Sequence, residues 1–298
     1  LFSFTREGGT DRYALRPEFT PTLARMYAAR AGELPKPVRW FSVLPYFRAE
    51  RPQRGRLREF LQWNCDVIGD ESAAADAGLL FCSSSALESF GLTPHDVRQV
   101  LGHRGVMERI LKTAHKIPEA RIPAALSILD GVQKRSMAAL IEDAVTRLGM
   151  PEPQAALFLT NFVQKPVAPP MSLAEMIDAL DTQTDLVPGL DELLECVTLM
   201  RADVWCDFEL SVIRGLAYYT GTVFEVIAEG ERAVAGGGRY DKLIELLGGP
   251  PTPAVGFAMG DVVLSNLLQD KGLMPQGAEL PEAVEAMVRS QRVRPEVF

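Results

Sequence analysis

VRWFSVLPYFRAERPQRGRLREFLQWNCDVIG, residues 38–69, is the stretch that decides the fold. Two runs rich in β-branched and aromatic residues, VRWFSVLPYF (38–47) and REFLQWNCDVIG (58–69), flank the polar stretch RAERPQRGR. That pattern reads as two strands joined by a long hairpin loop. Side chains alternate along a strand, so Phe60, Gln62, Asn64 and Asp66 share one face while Leu61, Trp63, Cys65 and Val67 share the other. The second set is an ordinary core face. The first is polar apart from one aromatic, which suits a sheet surface holding a ligand and suits a solvated face equally well.

Working outward, PEFTPTLARMYAARAG (17–32) reads as a helix with Pro17 and Glu18 near its start and Gly32 past its end. ESAAADAGLLFCSSSALESFG (71–91) reads as a second helix closed by Gly91. From about residue 106 to 200 the texture changes to short amphipathic helices punctuated by prolines, which predicts a helical insertion. Strands return in DFELSVIRGLAYY (207–219), TGTVFEVIA (220–228) and AVGFAM (254–259), and DVVLSNLLQDKG (261–272) reads as a closing helix. Strands on both sides of a helical middle, with hairpin spacing, predict an α+β fold with an antiparallel sheet rather than a doubly wound one. The opening LFSFTREGG reads as the middle of a hairpin, and the chain as a piece of a longer protein.

Composition narrows the function. The 298 residues are 47% hydrophobic, enough for a substantial core. A formal charge of -8 argues against coating nucleic acid along the whole surface, because that requires many phosphate contacts. Cys65, Cys82, Cys196 and Cys206 form no CxxC pair, and His95, His103 and His115 have no metal-ligand spacing, so reduced thiols and no metal site are expected. His103 is read as a packed or capping histidine. No targeting pattern and no membrane-length apolar run is visible, which predicts a cytoplasmic protein.

The loop carries the chemistry. Arg48, Arg51, Arg54, Arg56 and Arg58 fall within one short stretch, interrupted by Glu50 and bounded by Glu59. Such a run is commonly a solvated basic loop. A guanidinium also offers planar paired donors matched to phosphate and stays charged at any working pH. Beside a strand face bearing acids and an aromatic, the mixture suits a target with phosphate, base and amino group. The glycine cluster Gly236–Gly238, taken alone, reads as a turn, and neither a GxGxxG nor a GK[ST] pattern occurs.

FRAERPQRGRLREFLQ (47–62) resembles motif 2 of the class II aminoacyl-tRNA synthetases, in the form peculiar to the histidyl enzymes. ALRPEFT (14–20), RGLAYYTGTVFE (214–225), GGGRYDKL (236–243) and PAVGFAMG (253–260) resemble further blocks of the histidyl-tRNA synthetase family, in the family's order and over nearly the whole chain. The resemblance implies the class II antiparallel sheet flanked by helices. It also implies formation of histidyl-adenylate from histidine and ATP, with Mg2+ held on the ATP phosphates, and transfer to tRNA(His).

Residue by residue, the resemblance implies Arg48 and Arg214 as the catalytic pair on the α-phosphate of ATP. Glu50 would read the adenine amino group and Phe60 would stack on the ring. Arg56, with Arg54, would hold the outer phosphates. Glu18, Thr20, Gln62 and Asp66 would surround the amino group and imidazole of histidine, and Tyr218 and Tyr219 would line the imidazole pocket. Adjacent tyrosines on a strand point to opposite faces, so one of the two is expected to reach the ligand. Arg214 also has a structural reading, paired with Asp207 or Glu225.

Three departures stand out. Motif 3 usually ends in an arginine that covers the second face of adenine; here Gly260-Asp261-Val262-Val263 has none. Ala217 and Asp66 stand where many relatives have aspartate and glutamate. Motif 1, which builds the homodimer interface, would precede residue 1, and an anticodon-binding domain would follow. The expected organisation is a catalytic domain from 1–105 and 201–280, a helical insertion at 106–200, and a linker at 281–298. The competing expectation is a non-catalytic histidine sensor, such as the regulatory subunit of ATP phosphoribosyltransferase, which would have no use for a phosphate-binding arginine loop.

Overall fold

The computed structural model describes residues 1–49, 51–132, 135–163, 171–172, 190–209 and 218–274. It opens on a small hairpin, β1 (Ser3–Thr5) and β2 (Arg12–Ala14), as the opening sequence predicts. Helix α1 follows (Thr20–Ala28), with Pro21 in its first turn, where a missing N–H costs nothing. Leu23, Ala24 and Tyr27 turn one stripe of this helix inward.

The predicted long hairpin is present. β3 (Val38–Phe47) and β4 (Glu59–Ile68) pair antiparallel from Val38↔Ile68 to Phe47↔Glu59. Helix α2 (Ala73–Ser89) ends at Gly91, which takes φ +84 beyond its last turn. β5 (Arg98–His103) leads into α3 (Arg104–Thr113). Then come α4 (Ile122–Asp130), α5 (Met137–Leu148), α6 (Glu152–Val163), the short β6 (Met171–Ser172) and α7 (Leu190–Leu199). The chain returns to strand in β7 (Cys206–Phe208), β8 (Thr222–Ile227) and β9 (Ala235–Arg239). After α8 (Leu243–Leu246), it closes with β10 (Ala254–Gly260) and α9 (Asp261–Asp270).

Among the described residues, eight strands make one sheet in the order β3-β4-β10-β9-β8-β5-β7-β6. Every pairing is antiparallel except β5 with β7. Helices cover the sheet unequally. On the back face Cys65, Val67, Val255, Phe257, Met259, Phe224 and Val226 pack against α2, α7 and α9 in the main core. Fully burying a leucine such as Leu80 or Leu87 of α2 there stabilises the fold by about 1.5–3 kcal/mol.

Among the described residues, α1 covers one end of the front face, where Phe19, Leu23 and Tyr27 meet Tyr46, Ile68, Tyr219 and Tyr240. Helices α3 to α6 close a separate cluster of their own around Met107, Leu111, Ile128, Leu140 and Leu159. Two of these helices carry clear end signals. His103 caps α3, its Nδ1 accepting from Gly105 N at 3.1 Å, as its reading as a capping residue anticipates. Ser136 caps α5, and Gly149 ends it in the left-handed region at φ +66.

The glycine cluster is the clearest correction to the reading from residues alone. Gly236–Gly238 lie inside β9, not in a turn. A Cβ on Gly237 would stand 2.2 Å from the Gly256 carbonyl oxygen, and one on Gly238 would stand 2.6 Å from that of Thr222. Close backbone packing, rather than a reversal of the chain, is what demands glycine here.

Candidate active site

The uncovered part of the front face is a slot of about 880 Å³. Its floor is made of residues with little or no side chain: Gly256, Ala258 and Gly260 of β10, and Gly236 of β9. One wall is the even-numbered face of β4, with Phe60, Gln62, Asn64 and Asp66 all lining the slot. The odd-numbered partners Trp63, Cys65 and Val67 lie in the main core as anticipated, whereas Leu61, expected with them, is exposed near the strand's start. Across the floor Glu225 of β8 faces the slot at the level of Gly236, which pairs Ala258 and, through it, Asn64.

At one end sits a cluster of acids and tyrosines. The Tyr218 hydroxyl donates to Glu18 Oε1 and also bonds Thr20, at the start of α1. The Tyr240 hydroxyl donates to Asp66 Oδ1 at 2.6 Å. Tyr218 stands edge-on to both Tyr219 and Tyr240, with ring centres 5.1 and 6.1 Å away. Burial pushes the Tyr218 and Tyr240 hydroxyls well above the usual phenol value, with the neighbouring Tyr219 and Asp66 respectively adding to it, so both remain donors. Asp66, 7% exposed, has its carboxyl lifted to about 7 by burial, against the opposing pull of the Tyr240 hydrogen bond.

Both Tyr218 and Tyr219 line the slot, where strand alternation would have sent one away. They lie outside any strand, in a segment held by Thr220 N donating to the Arg239 carbonyl at 2.7 Å. Arg239 and Asp241 brace the same corner. The Arg239 Nε bonds Asp76 Oδ2 at 2.9 Å, and Asp241 accepts from the Thr220 hydroxyl at 3.0 Å. Tyr240, between them, is thereby aimed at Asp66. The sequence reading missed it, although Tyr240, the residue after β9, continues the parity of Gly236 and Gly238.

The other end is cationic. Arg48 and Arg56 line it with Phe60, Gly55, Leu57, Arg232, Val262 and Val263. Gln53 and Arg56 pair their backbones across Gly55, whose φ of +72 makes the loop's tight reversal. The Arg48 guanidinium lies over the Phe60 ring, 4.9 Å from its centre, and its Nε donates to the Pro17 carbonyl at 3.3 Å. Arg54 does not line the slot. It bonds Glu231 at 2.7 Å and also pairs with Asp270, so it ties the loop to the β8–β9 turn and to α9.

Of the other expected site residues, Glu18, Thr20, Arg48, Arg56, Phe60, Gln62 and Asp66 all line one slot. Glu50 and Arg214 lie outside the described residues. Asp207, one structural partner considered for Arg214, is held by Arg98 through bonds of 2.6 and 2.5 Å.

The sequence profile described as Histidyl-tRNA synthetase matches residues 1–261. The chain belongs to the histidyl-tRNA synthetase family. It is 39% identical over 285 residues to a histidine--tRNA ligase of Halobacterium salinarum, covering 95% of this chain and 64% of that protein. It is 41% identical over 281 residues to a histidine--tRNA ligase of Opitutus terrae, covering 92% and 63%. The chain thus spans a little under two thirds of the length of these relatives. A solved histidyl-tRNA synthetase from Nostoc sp. PCC 7120 superposes with a TM-score of 0.70 over 97% of this chain and 70% of its own, at 22% identity. Membership of the histidyl-tRNA synthetase family and the class II fold agree with the motif blocks and with the antiparallel sheet. No helix among the described residues is long and apolar enough to cross a membrane.

Proposed function

We propose that this chain is the catalytic core of a histidine--tRNA ligase, an aminoacyl-tRNA ligase that joins histidine to ATP as histidyl-adenylate and passes the histidyl group to tRNA(His). One observation carries the reading: a single glycine-floored slot has an acid-and-tyrosine end and an arginine-and-phenylalanine end. The first suits the amino group and imidazole of histidine. The second suits a purine and its phosphates.

In this reading the histidine carboxylate attacks the α-phosphorus, the bond to the bridging oxygen breaks, and pyrophosphate leaves with the electron pair. The protein's work is to align two anions and to stabilise charge on the α-phosphate oxygens. Arg48, with Arg214, supplies that field. Arg48 rests on the Phe60 ring. A purine taking that ring face displaces the guanidinium toward the phosphates, so base binding and phosphate binding are coupled. Glu50 reads the base, and Arg56 holds the outer phosphates, which carry Mg2+ as part of the substrate. Glu18, Thr20, Gln62, Asp66, Tyr218 and Tyr219 recognise histidine, with Tyr240 holding Asp66. Buried polar partners of this kind reject analogues that cannot pair with them.

The separate core of α3 to α6 supports a helical insertion within residues 106–200 between the catalytic segments 1–105 and 201–280, although α7 packs against α2. Residues 281–298 would lead toward an anticodon-binding domain. Exposed Phe41 and Val43 on the edge strand β3 support a homodimer in which a second copy covers that face. We place the protein in the cytoplasm with the rest of translation. A histidine sensor related to the regulatory subunit of ATP phosphoribosyltransferase would need only the tyrosine end, and the arginine end favours the ligase.

The test is exchange of labelled pyrophosphate into ATP across a panel of amino acids. Exchange with histidine alone, reduced roughly 10²–10³-fold in Arg48→Ala, is the expected result. Histidine binding with no exchange would favour the sensor.

A further inference from the structure

The β8–β9 turn touches the arginine loop twice. From the outside, Glu231 accepts from Arg54 Nε at 2.7 Å. From the slot side, the next residue, Arg232, packs its stem on Gly55, where an added Cβ would meet Arg232 Cδ at 3.1 Å and Val263 Cγ2 at 3.2 Å. The turn is anchored close by: Val234 N donates to Val226 O at 2.8 Å, and Gly260 N donates to Val234 O at 3.2 Å. Arg232 sits in the turn two residues before this anchor, at the slot's cationic end, and it lines the slot. Arg54 of the loop is absent from the slot lining and pairs with Glu231 and Asp270. The first turn of α9 offers Val262 and Val263 to the same rim, apolar side chains with nothing to give an anion.

We propose that Arg232 contacts ATP directly, as a nucleotide-binding residue supplied by the β8–β9 turn at the rim where the arginine loop meets α9. This rests on the ATP reading of the slot. Its guanidinium is planar and permanently charged, so it can serve the outer phosphates or lie on the base. A lysine keeps the charge and loses the plane, which separates the two.

The experiment is calorimetric titration of ATP, and separately of histidine, into wild type, Arg232→Ala, Arg232→Lys and Glu231→Ala. Arg232→Ala is expected to weaken ATP by about 10- to 100-fold, the range for a lost charged hydrogen bond, and to leave histidine affinity unchanged. Glu231→Ala, which frees the loop's outer tether but keeps Arg232, is expected to change ATP affinity by less than about threefold. Retention of ATP affinity in Arg232→Lys assigns the contact to phosphate, and loss assigns it to the base. Equal ATP affinity in Arg232→Ala and wild type overturns the proposal. So does an equal loss in Glu231→Ala, which would make loop tethering the cause. A wild type that binds histidine but no ATP refutes the underlying reading instead.

Discussion

The Tyr240 hydroxyl donates a 2.6 Å hydrogen bond to Asp66 Oδ1, joining two residues 174 apart in sequence at the end of the slot. Both are buried at the wall of the slot, where a lost hydrogen-bond partner is costly to replace. Tyr240→Phe leaves the Asp66 carboxyl without this donor and raises its pKa further. We expect histidine affinity to fall by about tenfold or more, with ATP affinity unchanged, when each is titrated by calorimetry. An unchanged histidine affinity would remove the pair from the recognition site.

Gly256 makes room for that pair. A Cβ there would lie 2.1 Å from Asp66 Oδ1 and 3.0 Å from the Cys65 carbonyl oxygen. Gly256→Ala must push the carboxylate aside or open the β4–β10 pairing. The expected outcome is loss of histidine binding at concentrations that saturate the wild type, with the protein still folded by circular dichroism. Normal histidine binding would show that the Asp66 side chain has freedom the packing denies.

Two buried groups bend the pH dependence of stability in opposite directions. Asp66 holds its proton up to about pH 7 in the folded chain, against an ordinary value of 3.8. The folded state therefore binds more protons in that window, and the Asp66 contribution to stability falls as pH rises from about 4 to about 7. Burial first, then the Arg239 charge, depress His103 from 6.5 to about 4. There the unfolded state binds more protons, and stability is lost as pH falls from about 6.5 to about 4. Each slope approaches about 1.4 kcal/mol per pH unit at most. Relative to ligand-free wild type in urea unfolding, Asp66→Asn should gain stability as pH rises through its window. His103→Asn should gain as pH falls through the other. Profiles parallel to wild type would contradict both assignments.

Arg239 and Asp76 form a buried ion pair, 8% and 3% exposed, and Arg239 also bonds the carbonyls of Asp70 and Ser72 at 3.1 and 3.2 Å. Removing Asp76 takes away the buried partner and leaves the guanidinium with Asp241 Oδ1 at 3.2 Å and two backbone carbonyls, so the cost falls at or below the about 3–5 kcal/mol of a fully stranded charge. Asp76→Ala should lower the urea midpoint accordingly. The double variant Asp76→Leu with Arg239→Met should recover much of the loss, since no buried charge is left unpaired and Asp241, which loses Arg239, is partly exposed to water. A single variant as stable as wild type would show that water reaches the guanidinium.

Much of this was legible along the chain because strand alternation is local. Residues 59–68 announce one wall of the slot, since Phe60, Gln62 and Asp66 obey a two-residue period whatever lies across from them. Tyr218 and Tyr219 escaped that rule because a tertiary bond, Thr220 to Arg239, holds them out of strand geometry. The glycine cluster misled for a related reason: the need for glycine at Gly237 and Gly238 comes from Gly256 and Thr222, on neighbouring strands. The diversion of Arg54 to Glu231 and Asp270, 177 and 216 positions away, has no sequence signal at all.

The central claim is that the tyrosine end and the arginine end serve one joined ligand. The most direct measurement is the affinity of a non-hydrolysable histidyl-adenylate analogue, such as a histidyl sulfamoyl adenosine, by calorimetry in the presence and absence of ATP and of histidine. We expect binding at least about a hundredfold tighter than histidine alone, and mutually exclusive with both substrates. An analogue that binds no better than histidine, or that binds alongside ATP, would contradict the account.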